Sequence, residues 1–356
     1  MGHAGSGFAT DEFQRVAVGF AAGWIFDIII NMNKYMITVV AGAMSLMAVA
    51  YPKTYRADVS TPEKLAEFEK SAWTGQDCDN VALWPEGKIP LRIHDTPNTL
   101  YTNEYVHANV ILTNVNNPFY RFYPAPGEGV KPCVVICPGG GYLRIGMNKE
   151  GTEIKDWLNS LGFSAAVLAY RCSGQDQRDG ALCDAQRMIR VLRQNAAKYN
   201  VDPKRIGIIG FSAGANLTVR TATNWKKPMY EKVDEADDQS CRPDFQMPIY
   251  PWDLRIRTEV RSDGWPNAWS KVYDQEVYPV DSETPPAFIV QTLDDFCEPE
   301  TATVYDYVLK RAGVDSTLKL YQKGGHGYGL RQFGNPCDLW PYEATSWLAK
   351  FANPIK

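Results

Sequence analysis

Histidine is what this chain has least of: only His3, His94, His107 and His326 occur in 356 residues. A surplus of one charge is missing too. The 37 Lys and Arg stand against 41 Asp and Glu, a net charge of −4, with no basic stripe. That balance argues against nucleic acid or an anionic membrane surface as a partner. No H-E-x-x-H or comparable cluster of ligands is present, so a metal mechanism is not expected. The glycine loop at 139–141 continues to no Gly-Lys-Ser/Thr, which excludes a P-loop, and the third glycine of a dinucleotide fingerprint would fall on Arg144. No cofactor is expected. Internal repeats, low-complexity tracts and linkers are missing as well.

What is there describes an ordinary soluble globular protein: 45% apolar and 22% charged residues. The length allows one large α/β domain or two smaller ones. The 10 Trp and 19 Tyr lean weakly toward a carbohydrate cleft. All 8 cysteines follow residue 50, at spacings unlike those of a small disulfide scaffold. Cys133 and Cys137 fall in one expected strand, about 13 Å apart at strand rise, too far to bridge each other. Both are expected as buried free thiols.

Near the start, Met32-Asn33-Lys34-Tyr35 leads into an apolar run at 36–47 that ends Ala48-Val49-Ala50. A short basic region, an apolar core and an A-x-A ending form a secretory signal peptide. At about 15 residues the run is too short to span a membrane comfortably. The expectation is that Met32 is the true start, that residues 1–31 are an upstream extension, and that cleavage follows Ala50. The rival, a longer anchor that includes 16–30, has Asp27 inside it. The mature chain, 51–356, is then a single catalytic domain, secreted or periplasmic, with no membrane association after cleavage.

Along that mature chain a helix is expected at 62–71, an antiparallel edge around 103–112 and a strand at 117–123. The near-continuous apolar run at 131–137 reads as a central parallel strand. Strand and helix then alternate: helix 150–161, strand 163–170, helix 181–199, strand 206–209, a helix to about 223, and a strand at 245–250. The pattern closes with strand 286–293, helix 300–312, strand 317–321 and helix 341–351. Such alternation argues for one mostly parallel sheet with helices on both faces. The Trp-, Tyr- and Pro-rich stretch 251–285 lacks clean periodicity and is expected as a small cap or cleft wall.

The chain is organised around Gly210-Phe211-Ser212-Ala213-Gly214, set between an apolar strand and a helix-compatible segment. In that context G-x-S-x-G forms a nucleophile elbow, whose strained turn lifts the serine hydroxyl to the carboxyl end of the sheet. A serine is a poor nucleophile until a positioned base takes its proton. In enzymes built on such an elbow the order is nucleophile, acid, histidine, and only His326 follows Ser212. It lies in a glycine-rich loop, Lys323-Gly324-Gly325-His326-Gly327, just after an expected strand. The acid that orients the imidazole should be Asp294 or Asp295, at the end of the strand before it. Asp295 is preferred, because Phe296-Cys297-Glu298-Pro299 approximates Asp-x-x-hydrophobic-Pro. Oxyanion donors are expected from the backbone of Ala213, Gly140 and Gly141, with the Tyr142 N–H as an alternative. The Tyr142 and Trp252 side chains are the candidate substrate contacts.

These residues resemble the acetylxylan-esterase-like branch of the α/β-hydrolases, bacterial carbohydrate esterases related to feruloyl esterases. The resemblance rests on Ile136-Cys-Pro-Gly-Gly-Gly-Tyr142, Lys149-Glu-Gly151, Trp157-Leu-Asn-Ser-Leu-Gly162, Leu168-Ala-Tyr-Arg171 and Asp184-Ala-Gln-Arg187. It continues through Gly207-Ile-Ile-Gly-Phe-Ser-Ala-Gly214, Pro285-Pro286 with Asp294-Asp295, and Gly324-Gly-His-Gly327, covering roughly 130–350 in unbroken order. It implies an α/β-hydrolase fold and a secreted serine esterase whose partner is an acetylated oligo- or polysaccharide such as xylan. Where the family often has Gly-His-Leu after the elbow, this chain has Ala215-Asn216-Leu217, and the acid loop lacks the usual Val-Val-Pro. Either departure could reshape the acyl or leaving-group pocket. Asp184 and Arg187, three apart on a helix, are read as a local structural pair. The alternatives are a feruloyl, aryl or other carboxylic ester hydrolase on the same triad, and a non-catalytic carbohydrate-binding homologue.

Overall fold

Residues 132–137 are all buried, and a run that hides both faces of a strand belongs in the middle of a sheet. In the computed structural model, which describes residues 80–93, 98–103, 109–174, 177–254 and 275–352, that is where it lies. The expected signal peptide, the helix at 62–71, His3, Cys78, His94, His107 and most of the expected cap (255–274) fall outside the described residues.

The strands in chain order are β1 (Val81–Ala82), β2 (Thr99–Asn103), β3 (Asn109–Thr113), β4 (Phe119–Tyr123), β5 (Lys131–Cys137), β6 (Arg144–Gly146), β7 (Ser164–Ala169), β8 (Val201–Phe211), β9 (Phe245–Ile249), β10 (Ala287–Thr292) and β11 (Ser316–Tyr321). Eight of them form the main sheet in the order β1-β4-β7-β5-β8-β9-β10-β11. In that order all neighbours from β7 to β11 are parallel; β4 alone runs against the rest, and β1, antiparallel to β4, points the same way as the others. The register of β5 on β8 shifts between Lys131 and Cys133, around Pro132, which has no ladder donor to give.

The crossovers are helical, as the alternation required: α1 (Glu153–Ser160), α2 (Arg178–Gln194), α3 (Ala213–Thr223), α4 (Glu300–Arg311) and α5 (Trp340–Ala352). A π-turn at Asn148–Thr152 precedes α1, and a separate short turn at Ala196–Tyr199 follows α2. Central β5, β7 and β8 bury most of their side chains in one cluster, with Phe211, Phe245, Trp340 and Trp347 on the flanks. Each such large apolar side chain stabilises by roughly 1.5–3 kcal/mol on burial. Among the described residues no helix is long and apolar enough to cross a membrane.

Two expectations need correction. The stretch around 103–112 is not an edge of the main sheet: β2 and β3 pair with β6 in a separate three-stranded antiparallel sheet. Val110, Ile111 and Leu112 are all buried, so β3 is packed on both faces rather than presenting a solvated one. Asp184 and Arg187 do not pair with each other either. Asp184 grips Arg171 through Nη2 at 2.8 Å and Nε at 2.9 Å, and accepts the Trp84 Nε1–H at 2.7 Å. Arg187 turns to Asp234 at 2.6 Å and Asp237 at 3.1 Å. The α2 helix is buried on most of its surface here, so each charge finds a dedicated partner from another element.

Candidate active site

Ser212 caps α3 with φ 54° and ψ −117°, a conformation that costs a non-glycine residue about 1–3 kcal/mol. Two neighbours make the turn possible. A Cβ on Gly214 would lie 1.9 Å from the Cys137 carbonyl oxygen, and one on Gly210 would lie 2.0 Å from the Gly214 carbonyl oxygen. Only glycine fits either position. The backbone of Ser212 is pinned by β9 and the segment just after it: its N–H donates to Ile249 O at 3.1 Å, and its carbonyl accepts the Trp252 N–H at 3.1 Å.

The exposed side of that turn meets a histidine. Ser212 Oγ lies 2.7 Å from His326 Nε2. The other ring nitrogen, Nδ1, lies 2.8 Å from Asp295 Oδ2 and 3.0 Å from Oδ1. The Asp295 side chain is fully buried and the His326 ring is 14% exposed. Cys297 N–H donates to Asp295 Oδ1 at 2.8 Å and fixes the carboxylate from behind.

Asp294, the rival acid, faces elsewhere. Its Oδ1 accepts the N–H groups of Gly324 at 3.0 Å and Gly325 at 2.8 Å, and these bonds, Gly325 first, hold its carboxyl below the usual range. Asp294 therefore ties down the loop that carries the histidine while Asp295 touches the ring. The same loop is tied by Thr292 Oγ1 to Gly325 O at 2.7 Å and by Trp340 Nε1 to Gly329 O at 2.8 Å.

A cavity of about 450 Å³ opens over Ser212 and His326. Gly140 and Gly141 line it, in a tight turn closed by Leu143 N–H and Arg144 N–H on the Gly140 carbonyl at 3.2 and 3.1 Å. Gly140 has φ 143°, and a Cβ there would meet Arg144 O at 2.1 Å. The loop comes close to Ser212, since a Cβ on Gly139 would lie 2.9 Å from Ser212 Cβ. Ala213, buried, is the first residue of α3, where backbone N–H groups have no intrahelical acceptor.

Of the two candidate substrate contacts, Trp252 lines the cavity and the Tyr142 side chain does not. Tyr142 is fully buried and donates to Asn216 Oδ1 at 2.9 Å. Asn216 also donates to Asp253 O at 2.8 Å and to the Tyr278 hydroxyl at 2.9 Å. The departure from Gly-His-Leu thus acts one layer behind the cavity, joining α3 to the glycine turn and to the segment after β9. Ile111, Leu143, Arg144, Lys149, Glu150, Phe296 and Cys297 also line the cavity, and no sequence signal marked them as lining. Phe296 is 80% exposed with its ring 4.9 Å from that of His326. Part of one wall comes from the small sheet, through Ile111, Arg144 and Gly146.

Among the described residues, Asp295, Cys297 and His326 have donor atoms close enough together for a metal ion, within 4.8 Å. An ion there would compete with the Ser212–His326–Asp295 contacts, which already engage both imidazole nitrogens. The described cysteines at 133, 137, 172, 183, 241 and 337 are buried thiols outside any disulfide.

Known proteins resemble this chain along the same stretch. A family model described as BD-FAE matches residues 121–248. An acetylxylan esterase of Xylanibacter ruminicola is 29% identical over 62% of this chain and 46% of its own length. The endo-1,4-beta-xylanase B of Butyrivibrio fibrisolvens is 28% identical over 78% of this chain and 46% of its own. The chain thus spans about half the length of the curated relatives it matches. Among solved structures, the acetyl ester-xyloside bifunctional hydrolase from Caldicellulosiruptor lactoaceticus superposes with a TM-score of 0.61 at 29% identity, over 76% of this chain and 96% of that one.

Proposed function

We propose that this chain, which belongs to the α/β-hydrolase superfamily, is a serine esterase that removes acetyl groups from plant polysaccharide or its oligosaccharides, acetylated xylan first among them. The observation that carries the reading is the unbroken contact from Ser212 Oγ through His326 to Asp295, beside a cavity large enough for a sugar residue.

In the first step His326 Nε2 takes the Ser212 proton as the hydroxyl attacks the acetyl carbonyl, and Asp295 stabilises the imidazolium through Nδ1–H. The carbonyl oxygen becomes an oxyanion, to be met by the amides of Ala213, Gly140 and Gly141. Each such donor is worth about 10²–10³ in kcat when preorganised. His326 then protonates the departing sugar oxygen. Water then gives its proton to the same nitrogen and attacks the acyl carbonyl, and as the ester bond breaks that proton passes to Ser212 Oγ and acetate leaves. Acetyl specificity is supported by the likeness to an acetylxylan esterase and to an acetyl ester-xyloside hydrolase. Trp252 offers an aromatic face of the kind that sugar rings stack on.

A second reading keeps the triad and changes the acyl group: exposed Phe296, beside His326, favours an aromatic acid such as a ferulate. Export is part of the first reading, supported by the pattern at 32–50 and by the polymeric substrate. The serine chemistry is tested by fluorophosphonate labelling and p-nitrophenyl acetate hydrolysis, parent against Ser212→Ala. Labelling at Ser212 and ester turnover that the variant lacks are expected; an unlabelled, inactive parent contradicts the reading.

A further inference from the structure

Glu150 belongs to the motif Lys149-Glu150-Gly151, to which the proposed chemistry gives no task. Its side chain is buried and accepts a hydrogen bond on each oxygen. Oε2 takes the Gly139 N–H at 2.8 Å, where β5 gives way to the glycine turn. Oε1 takes the Tyr250 hydroxyl at 2.8 Å. That hydroxyl accepts the Gly329 N–H at 3.0 Å, three residues past His326. The Tyr250 ring also meets the His326 ring edge-on, with centroids 5.0 Å apart. Tyr250 lies between the two residues that bracket the nucleophile, Ile249 and Trp252, and its own N–H is anchored to Val290 O at 2.7 Å. One buried pair therefore reaches the glycine turn, the segment that pins Ser212, and the loop that carries the base.

We propose that Glu150 is a positioning residue: with Tyr250 it clasps the Gly139–Gly141 turn to the nucleophile and the histidine loop, so that the turn's amides face the oxygen of the tetrahedral intermediate. The inference rests on the esterase reading and deepens it. Burying a carboxyl group is costly unless fixed donors satisfy it, and a filler side chain would avoid that cost. Oxyanion donors, by contrast, must be held to about 0.5 Å. Burial first, and then the Glu150 carboxyl, hold the Tyr250 hydroxyl far above its ordinary range, so it stays a donor.

The test compares Glu150→Gln and Tyr250→Phe with the parent on p-nitrophenyl acetate, with a trifluoromethyl ketone as tetrahedral analogue. Active sites are counted by fluorophosphonate. A glutamine keeps the size but cannot accept from both donors. The expected result per active site is a kcat loss of roughly 10- to 100-fold with KM within about threefold, and ketone affinity falling in step with kcat. Tyr250→Phe should lose roughly tenfold, and the double variant should lose less than the product of the two single losses, because the two residues belong to one hydrogen-bonded chain. A Glu150→Gln kcat within about twofold of the parent, or a loss fully matched by missing active sites, overturns the clasp. If Glu150→Gln does not fold, Tyr250→Phe decides by the same comparison of kcat with ketone affinity. A parent inert to both ester and fluorophosphonate overturns the esterase reading and the clasp together; an active parent with an indifferent Glu150→Gln overturns the clasp alone.

Discussion

Asp295 and Asp184 both bury their carboxylates fully and grip a nitrogen-rich side chain, in opposite settings. Asp184 holds Arg171, whose remaining donors end on the carbonyls of Pro90 and Gly180. Burial works against the Arg171 charge, but the Asp184 carboxylate outweighs it and keeps the guanidinium protonated. That network is closed. Asp295 holds one nitrogen of His326, and the other nitrogen leads to Ser212 and an open cavity. Its polar chain ends where a substrate can continue it. Cavity size does not make this distinction: a depression of about 700 Å³ beside Trp84 is larger, yet Arg187 and Asp234 in its lining are engaged with each other. On the proposed esterase reading, the open-ended chain serves chemistry and the closed one serves stability.

The contrast breaks most visibly at the open end. Ser212→Ala or Asp295→Asn should lower kcat by about 10⁴-fold in a protein that unfolds at nearly the parent temperature, read by ester turnover and calorimetry. The closed end should answer in the reverse way. Arg171→Ala leaves a buried carboxylate unpaired and should cost about 3–5 kcal/mol in denaturant unfolding, with KM of the folded fraction unchanged. An activity loss without a stability loss there would erase the contrast.

Asp294 sharpens it, being adjacent in sequence to Asp295 but one step removed from the ring. Asp294→Asn keeps one acceptor for Gly324 and Gly325 and should cost about tenfold in kcat or less, far below its neighbour. A loss equal to that of Asp295→Asn would move the acid assignment. The smallest effect concerns acid. Hydrogen bonds from Arg187 hold the Asp234 carboxyl below its ordinary range. Asp237 is lowered too, burial opposing and the Val233 N–H, Tyr230 and Arg187 prevailing. A depressed folded pKa stabilises above the unfolded value, near 3.9, and that stability is lost as pH falls through the folded value. Melting temperature should therefore decline below about pH 4, and Asp234→Asn should flatten the decline without moving the activity profile near neutrality.

The order of strands and helices from 117 onward was readable because each element buries a face or a whole strand, and the elbow was readable because a strained serine needs its two glycines. The contact of Ser212 with His326 was legible from the scarcity of histidine and from chain order. Sequence separates Asp295 from Asp294 only by a preference, through the Pro299 spacing, since the two differ mainly in which way adjacent side chains turn at a strand end. The small sheet was not legible because its third strand, β6, has three residues and follows the glycine turn, so its pairing with β3 leaves no periodic trace. Arg171–Asp184 was hidden for a similar reason: an i, i+3 rule favoured Arg187, while the true partner lies 13 residues earlier on another element. Glu150 stands in a recognisable motif, but its two hydrogen bonds join residues 139 and 250, a link no local spacing encodes.

The most direct test of the central claim is acetate release from acetylated xylo-oligosaccharides by the chain from Tyr51 onward, alongside Ser212→Ala. The account predicts steady release by the parent and none above background by the variant. Folded parent that hydrolyses p-nitrophenyl acetate but frees no acetate from the oligosaccharides would contradict the substrate assignment, and equal release by Ser212→Ala would contradict the serine mechanism itself.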